Sequence, residues 1–173
     1  MNKYQEVEGD LIVRAKNGEF NVVAHGANCF CQMGAGIAPQ MASAFGCNNF
    51  KLEDKKFVGD INKLGQIDFE KLWYSSWDKK FERYPDEGDT LLYSLFVVNC
   101  YTQFFYGSLY GPPVDYEAIA LCMRKINYTF KGLRIGLPLI GCGLAGGSWE
   151  IVRGIFQKEL KDMELTVVKF KKL

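Results

Sequence analysis

Short apolar runs alternate along the chain with longer amphipathic stretches, and glycine-bearing loops separate them. Residues 4–13 read as a first strand, interrupted at Gly9-Asp10. Residues 21–29 open on Val22-Val23-Ala24, an unbroken apolar run of the kind a short buried strand carries. Residues 30–36 form a loop. Residues 37–45 then place Ile37, Met41 and Ala44 at helical spacing, with Gly46 as the stop. Residues 48–88 are the least patterned third, rich in charge and aromatics such as Trp73, Tyr74 and Trp77. Within it 67–73 alternates as a strand, and there is room for short helices.

The run at 91–101 predicts a central strand, and the aromatic, glycine-rich segment 104–113 a loop. Asp115 is placed to cap a helix reaching about Phe130. A buried strand follows at 133–140, then a second glycine-rich loop at 141–147. Ser148 would cap a helix from Trp149 to about Lys161, with Ile151, Ile155, Phe156 and Leu160 inward, and 165–170 closes as a strand. Strands alternating with helices predict an α/β fold, a mostly parallel sheet with helices on both faces, formed by residues 1–173 as a single domain. Ligands of such sheets bind beyond the carboxyl ends of the strands. Both glycine loops follow a strand and lead into a helix there.

Charge narrows the function. Lys and Arg total 21 against 20 Asp and Glu, a net +1, with no clustered basic excess of the kind a nucleic-acid partner requires. Lys169, Lys171 and Lys172 read as a solvated basic end. Any bound anion must be held by local geometry. No apolar run approaches the roughly 18 residues of a membrane span. The opening residues are polar, unlike a secretory signal. Six cysteines without a CxxC pair, beside one histidine, give no zinc pattern, and they suit a reducing cytoplasm. The expectation is a monomer with no metal and no cofactor.

Gly34-Ala35-Gly36 on its own reads as a tight turn. Gly141-Cys142-Gly143-Leu144-Ala145-Gly146-Gly147 is more specific: four glycines in seven residues cost more ordering entropy than a turn requires, and a phosphate cradle accounts for that cost. Asn28 could read ribose hydroxyls or cap its own loop. Asp10 could accept from an adenine amino group or close an Asx turn. His25 has two readings, a hydrogen-bonded core residue or an acid–base group at the strand end. Cys142 sits among loop amides that could lower its thiol pKa, yet no second histidine is available to activate it.

Taken in order, Glu8-Gly-Asp-Leu-Ile12, Val23-Ala-His-Gly-Ala-Asn28, Met33-Gly-Ala-Gly-Ile-Ala38, Asn99-Cys-Tyr-Thr-Gln103, Val114-Asp-Tyr-Glu117 and Pro138-Leu-Ile-Gly-Cys-Gly-Leu144 with Trp149 resemble a macro domain over nearly the whole chain except 48–88. The resemblance implies a three-layer α/β/α fold around a mixed sheet, and ADP-ribose or a derivative as ligand. By position it implies Asp10 and the Leu11 amide at the adenine, and Asn28 at the distal ribose. Gly34, Ala35, Gly36 and Ile37 would lie on one side of the diphosphate, with Ile140, Gly141, Cys142, Gly143 and Leu144 on the other. Tyr101 would be a further lining residue.

The loops look most like the branch of yeast-type ADP-ribose 1″-phosphate phosphatases and ADP-ribosyl-glutamate hydrolases. The lysine and aspartate of those hydrolases fall here near Thr102-Gln103 and at Ala145, whereas the phosphatases' histidine falls at His25. The resemblance thus implies a phosphatase using His25 and Asn28. The alternatives are an ADP-ribosyl or O-acetyl-ADP-ribose hydrolase and a non-enzymatic ADP-ribose reader.

Overall fold

The computed structural model describes residues 3–75, 79–88, 90–107 and 113–170. Trp77, residues 108–112 of the expected 104–113 loop, and Lys171 and Lys172 lie outside the described residues. Seven strands form one sheet: β1 (Tyr4–Glu8), β2 (Val22–Asn28), β3 (Ile67–Ser75), β4 (Phe81–Glu82), β5 (Leu91–Gln103), β6 (Arg134–Leu137) and β7 (Glu164–Lys169), in the order β1-β7-β6-β2-β5-β3-β4. The pairs from β1 through to β5 are parallel, and β3 joins β5 and β4 antiparallel. The mixed sheet agrees with the expected α/β class.

Each face of the sheet has its own helix layer. Val22 and Ala24 of β2, Val98 of β5, Leu137 of β6 and Val167 of β7 pack beneath α3 (Tyr116–Thr129) and α4 (Trp149–Glu159). Val23, Leu95, Val97 and Val168 face the other way, onto α1 (Leu11–Lys16) and α2 (Ala38–Phe45). Neighbouring β2 residues therefore belong to different cores, as strand alternation requires. Among the described residues, no helix is long and apolar enough to cross a membrane.

Several expected elements change at their ends. The first strand stops at Glu8, and Leu11, Ile12 and Val13 are helical. Asp10 is the N-cap of α1, its Oδ1 accepting from the amides of Ile12 at 2.8 Å and Val13 at 3.0 Å. A β-branched run reads as strand, but the cap and the buried pair Leu11 and Ala15, one helical turn apart, decide otherwise. In α4 Val152 and Phe156 are buried, Leu160 at its C-cap is buried with them and Ile155 packs partly against the same core, while Ile151 is 48% exposed. Ser148 holds the N-cap position of α4 without a side-chain cap bond. Asp115 does cap α3, accepting from the Ala118 amide at 2.9 Å.

The unpatterned third supplies four 3₁₀ turns, Cys47–Asn49, Lys51–Glu53, Lys55–Phe57 and Ile61–Lys63. They are tied down by buried polar groups instead of an apolar stripe. Tyr101 donates to Glu53 Oε1 at 2.6 Å, Asn99 Nδ2 to the Cys47 carbonyl at 2.9 Å, and the Leu52 amide to Asp68 Oδ2 at 2.7 Å.

Candidate functional site

A cavity of about 520 Å³ opens at the carboxyl ends of β2, β5 and β6, the end at which parallel sheets of this kind place their ligands. Gly34, Ala35, Gly36 and Ile37 form one wall, running straight into α2. Ile140, Gly141, Gly143 and Leu144 form the wall opposite. Two glycines of this second loop have structural reasons to lack a side chain. Gly141 has a φ of +74°, and a Cβ on Gly147 would stand 2.6 Å from the Gly141 carbonyl oxygen. Gly143 is different: a Cβ there would meet nothing within 4 Å. It stays open toward the cavity.

Among the described residues, the amides of Gly34, Ala35, Gly36, Gly143 and Leu144 donate to no backbone carbonyl. Such donors, one set at a helix entrance and the other facing it, favour anionic oxygens. The described lining residues include no Lys, Arg, His, Asp or Glu. An anion here would meet backbone amides and neutral polar side chains, with no formal charge among the described lining residues.

Asn28 reaches the cavity but spends its side chain on its own loop. Its Oδ1 accepts from the amides of Phe30 at 3.1 Å and Gln32 at 3.2 Å, and its Nδ2 donates to the Gln32 carbonyl at 2.8 Å. Both Oδ1 lone pairs are thus occupied, and one Nδ2 hydrogen is left for a ligand.

His25 is not brought to the cavity. The break in the β2–β5 register falls between Ala27 and Asn28, so His25 is still in regular pairing opposite Asn99. It is fully buried, with Nε2 2.8 Å from Asn99 Oδ1 and 3.5 Å from Cys47 Sγ. The bond from Asn99 Nδ2 to Cys47 fixes the amide orientation, so Nε2 carries the proton and donates it. Burial, opposed by the bond to Asn99, pushes the imidazole down to about 4. The ring is a buried residue outside the described cavity lining, which favours the core reading over the acid–base one.

Four other expected residues also fall outside the cavity lining. Tyr101 is fully buried against Glu53. Asp10 and Leu11 stand at the start of α1, Asp10 with Oδ1 committed to the cap and Leu11 in the core. Cys142 turns back toward the core, its Sγ 3.5 Å from the Ile140 carbonyl. Burial raises its thiol pKa, against the lowering that loop amides alone suggest. Cys142→Ala should leave ligand affinity within about twofold of wild type and shift stability by less than about 1 kcal/mol. Calorimetry and thermal melts check this, and a complete loss of binding would assign the thiol a direct role.

The structure adds Gln32, Thr102, Gln103 and Tyr106 to the lining. Their signal in the sequence was indirect: Asn28 pairs with Gln103 across β2 and β5, so whatever follows β5 must face whatever follows β2.

No family model matches the chain. An uncharacterized 17.5 kDa protein of the tk-vs intergenic region of Enterobacteria phage T4 is 30% identical over 174 residues, spanning 96% of each chain. A protein of unknown function from Bacteroides thetaiotaomicron aligns with a TM-score of 0.66 at 20% identity, covering 97% of this chain and 98% of that one. The macrodomain of Mycobacterium tuberculosis DarG gives 0.63 at 19% over 97% and 98%. Thermosipho africanus DarTG, solved in complex with ADP-ribose, gives 0.66 at 19%, covering all of this chain and 43% of that longer one. The chain therefore belongs to one family with the phage T4 17.5 kDa protein, and its fold is that of the macrodomains.

Proposed function

We propose that the protein binds ADP-ribose or an ADP-ribose derivative. One observation carries the reading: two glycine-rich walls with unengaged amides face each other across a single cavity at the strand ends, as a diphosphate requires. The complex of the structurally similar DarTG with ADP-ribose supports it. Asn28, through its remaining Nδ2 hydrogen, and Gln103 would contact the distal ribose, both lining the cavity. Asp10 has one carboxylate oxygen beyond the cap for an adenine amino group.

The proposal is of binding without side-chain acid–base catalysis. The described lining residues offer no carboxylate, imidazole or amine to move a proton, and His25 is neutral beneath the sheet. Hydrolysis of ADP-ribose 1″-phosphate would have to run on amide stabilisation of the phosphoryl oxygens alone. Incubating the protein with ADP-ribose 1″-phosphate and with ADP-ribosylated protein should leave both essentially intact. Enzymatic release of phosphate or of ADP-ribose would restore the corresponding hydrolase reading.

Binding is tested by calorimetry. ADP-ribose should bind one-to-one and adenosine at least about a hundredfold more weakly, the worth of two hydrogen bonds to a charged group. Because no formal cation lies among the described lining residues, the affinity should change little with ionic strength. Equal affinity for adenosine and ADP-ribose would remove the diphosphate from the account.

A further inference from the structure

The loop that follows Asn28 turns one side chain away from the cavity, into the buried polar cluster under the 3₁₀ segment. That side chain is Cys31. Its backbone has a φ of +56°, a conformation costly for a residue with a Cβ. Two lysines hold it there. Lys55 Nζ donates to the Cys31 carbonyl at 2.7 Å. Lys63 Nζ lies 3.1 Å from Cys31 Sγ and donates to the Leu52 carbonyl at 2.5 Å. Lys63 is 3% exposed and Cys31 4%. A lysine is almost never buried this far unless its head group is engaged. Here the head group meets a carbonyl, a thiol and, 5.8 Å from its centroid, the Tyr101 ring. Glu53 completes the cluster: Oε1 accepts from Tyr101, and buried Oε2 has no hydrogen-bond partner among the described residues.

We propose that Cys31 and Lys63 form a site of reversible oxidative cross-linking, in which a hydroperoxide joins the thiol and the amine as a sulfenamide. In the first step Cys31 sulfur attacks a peroxide oxygen. An S–O bond forms, the O–O bond breaks, sulfur loses two electrons, and one water leaves. Lys63 enters the second step as the free amine, its ammonium proton released to solvent water. The amine lone pair attacks sulfur, an N–S bond forms, the S–O bond breaks, and the hydroxyl leaves with an amine hydrogen as a second water. Thiol, amine and hydrogen peroxide thus give the sulfenamide and two waters. Condensation of a sulfenic acid with a neighbouring nitrogen is an established fate of that acid, and here the nitrogen is already in contact. A thiol reductant reverses the step. The link would tether the loop whose next residue, Gln32, lines the cavity and is held by Asn28.

The test uses the full chain treated with graded hydrogen peroxide, with remaining thiols then blocked by a maleimide and the protein digested with trypsin. The expected result is a peptide pair joined through Cys31 and Lys63, lighter than its two parts by two hydrogens. Cleavage after Lys63 should be lost, and dithiothreitol should reverse both changes. In Lys63→Arg, whose guanidinium is a poor nucleophile, Cys31 should instead accumulate as sulfinic acid. In Cys29→Ser the joined pair should persist, since the nearby thiol is not its partner. Wild-type Cys31 recovered as a maleimide adduct, as sulfinic acid, or as a disulfide with Cys29, with Lys63 cleaved normally, would overturn the proposal. The readout on wild type suffices even if a variant fails to fold, and it is independent of any ligand.

Discussion

His25→Ala should destabilise the protein by about 3 kcal/mol, the combined cost of a buried cavity and of leaving Asn99 Oδ1 without its donor. That is a large share of the ~5–15 kcal/mol a domain of this kind has in total. ADP-ribose affinity of the folded fraction should change little, because the ring lies beneath the sheet and not in the cavity. The pH dependence gives a sharper signature. An imidazole held near 4 in the fold stays neutral while the unfolded chain takes up a proton below about 6.5. Its contribution is therefore complete above about 6.5 and is lost as pH falls toward 4. Asp68 works in the opposite sense. Burial pushes its carboxyl up to about 6, so it favours the fold increasingly as pH falls below that value. The wild-type curve mixes the two, but the variant lacks only the first. The stability gap between wild type and His25→Ala should accordingly narrow from about pH 7 to about pH 4. With a single histidine in the chain, the folded-state imidazole resonances can be followed directly, and they should not titrate above about pH 5. A midpoint near 6.5, or lost ligand turnover at unchanged stability, would place His25 in the site after all.

Gly143→Val should have the largest effect on binding. A side chain there meets no protein atom within 4 Å, and the backbone is not in the left-handed region. The folded protein therefore accepts it, with a melting temperature close to wild type. Gly143 lines the cavity, so the added side chain should take space from a ligand there. Forcing a branched side chain into a filled contact costs roughly 1–3 kcal/mol, and the amides behind it lose their access. ADP-ribose affinity should fall by about a hundredfold. The same substitution at Gly147 is the control for a structural glycine: there the Cβ strikes the Gly141 carbonyl, and stability should fall along with binding. A Gly143→Val protein that binds ADP-ribose normally would count against the phosphate assignment of this loop.

The strands and both glycine loops were legible because their signals are local. Val22-Val23-Ala24 and the run before Asn99 allow little but buried strands, and Gly46 and Asp115 end or begin helices by their own backbone and side-chain chemistry. What was not legible depends on partners distant in sequence. Nothing near Glu53 or Lys63 announces that charged residues will be buried, since their partners are Tyr101 and Cys31. The Leu11-Ile12-Val13 run was misread because the cap at Asp10 outweighs a modest β preference. His25 was misplaced by where a register break falls. It falls after Ala27, so His25 is still in regular pairing with the ring on Asn99, a point no local pattern reveals.

The sheet order has a consequence for how the molecule is assembled. β1 lies at one edge, and among the described strands it pairs only with β7, the strand furthest from it in sequence. The Leu165 amide donates to the Lys3 carbonyl, and the Gly9 amide to the Lys169 carbonyl. Until β7 has been synthesised and docked on β6, β1 has no partner, so this pairing belongs to the slow, non-local class of folding events. Gly9, Asp10 and the start of α1 take their final positions only with it. The corner proposed to receive the adenine should therefore be the last part of the site to form. In refolding experiments, the walls around the diphosphate should gain hydrogen-exchange protection before the amides of β1 do.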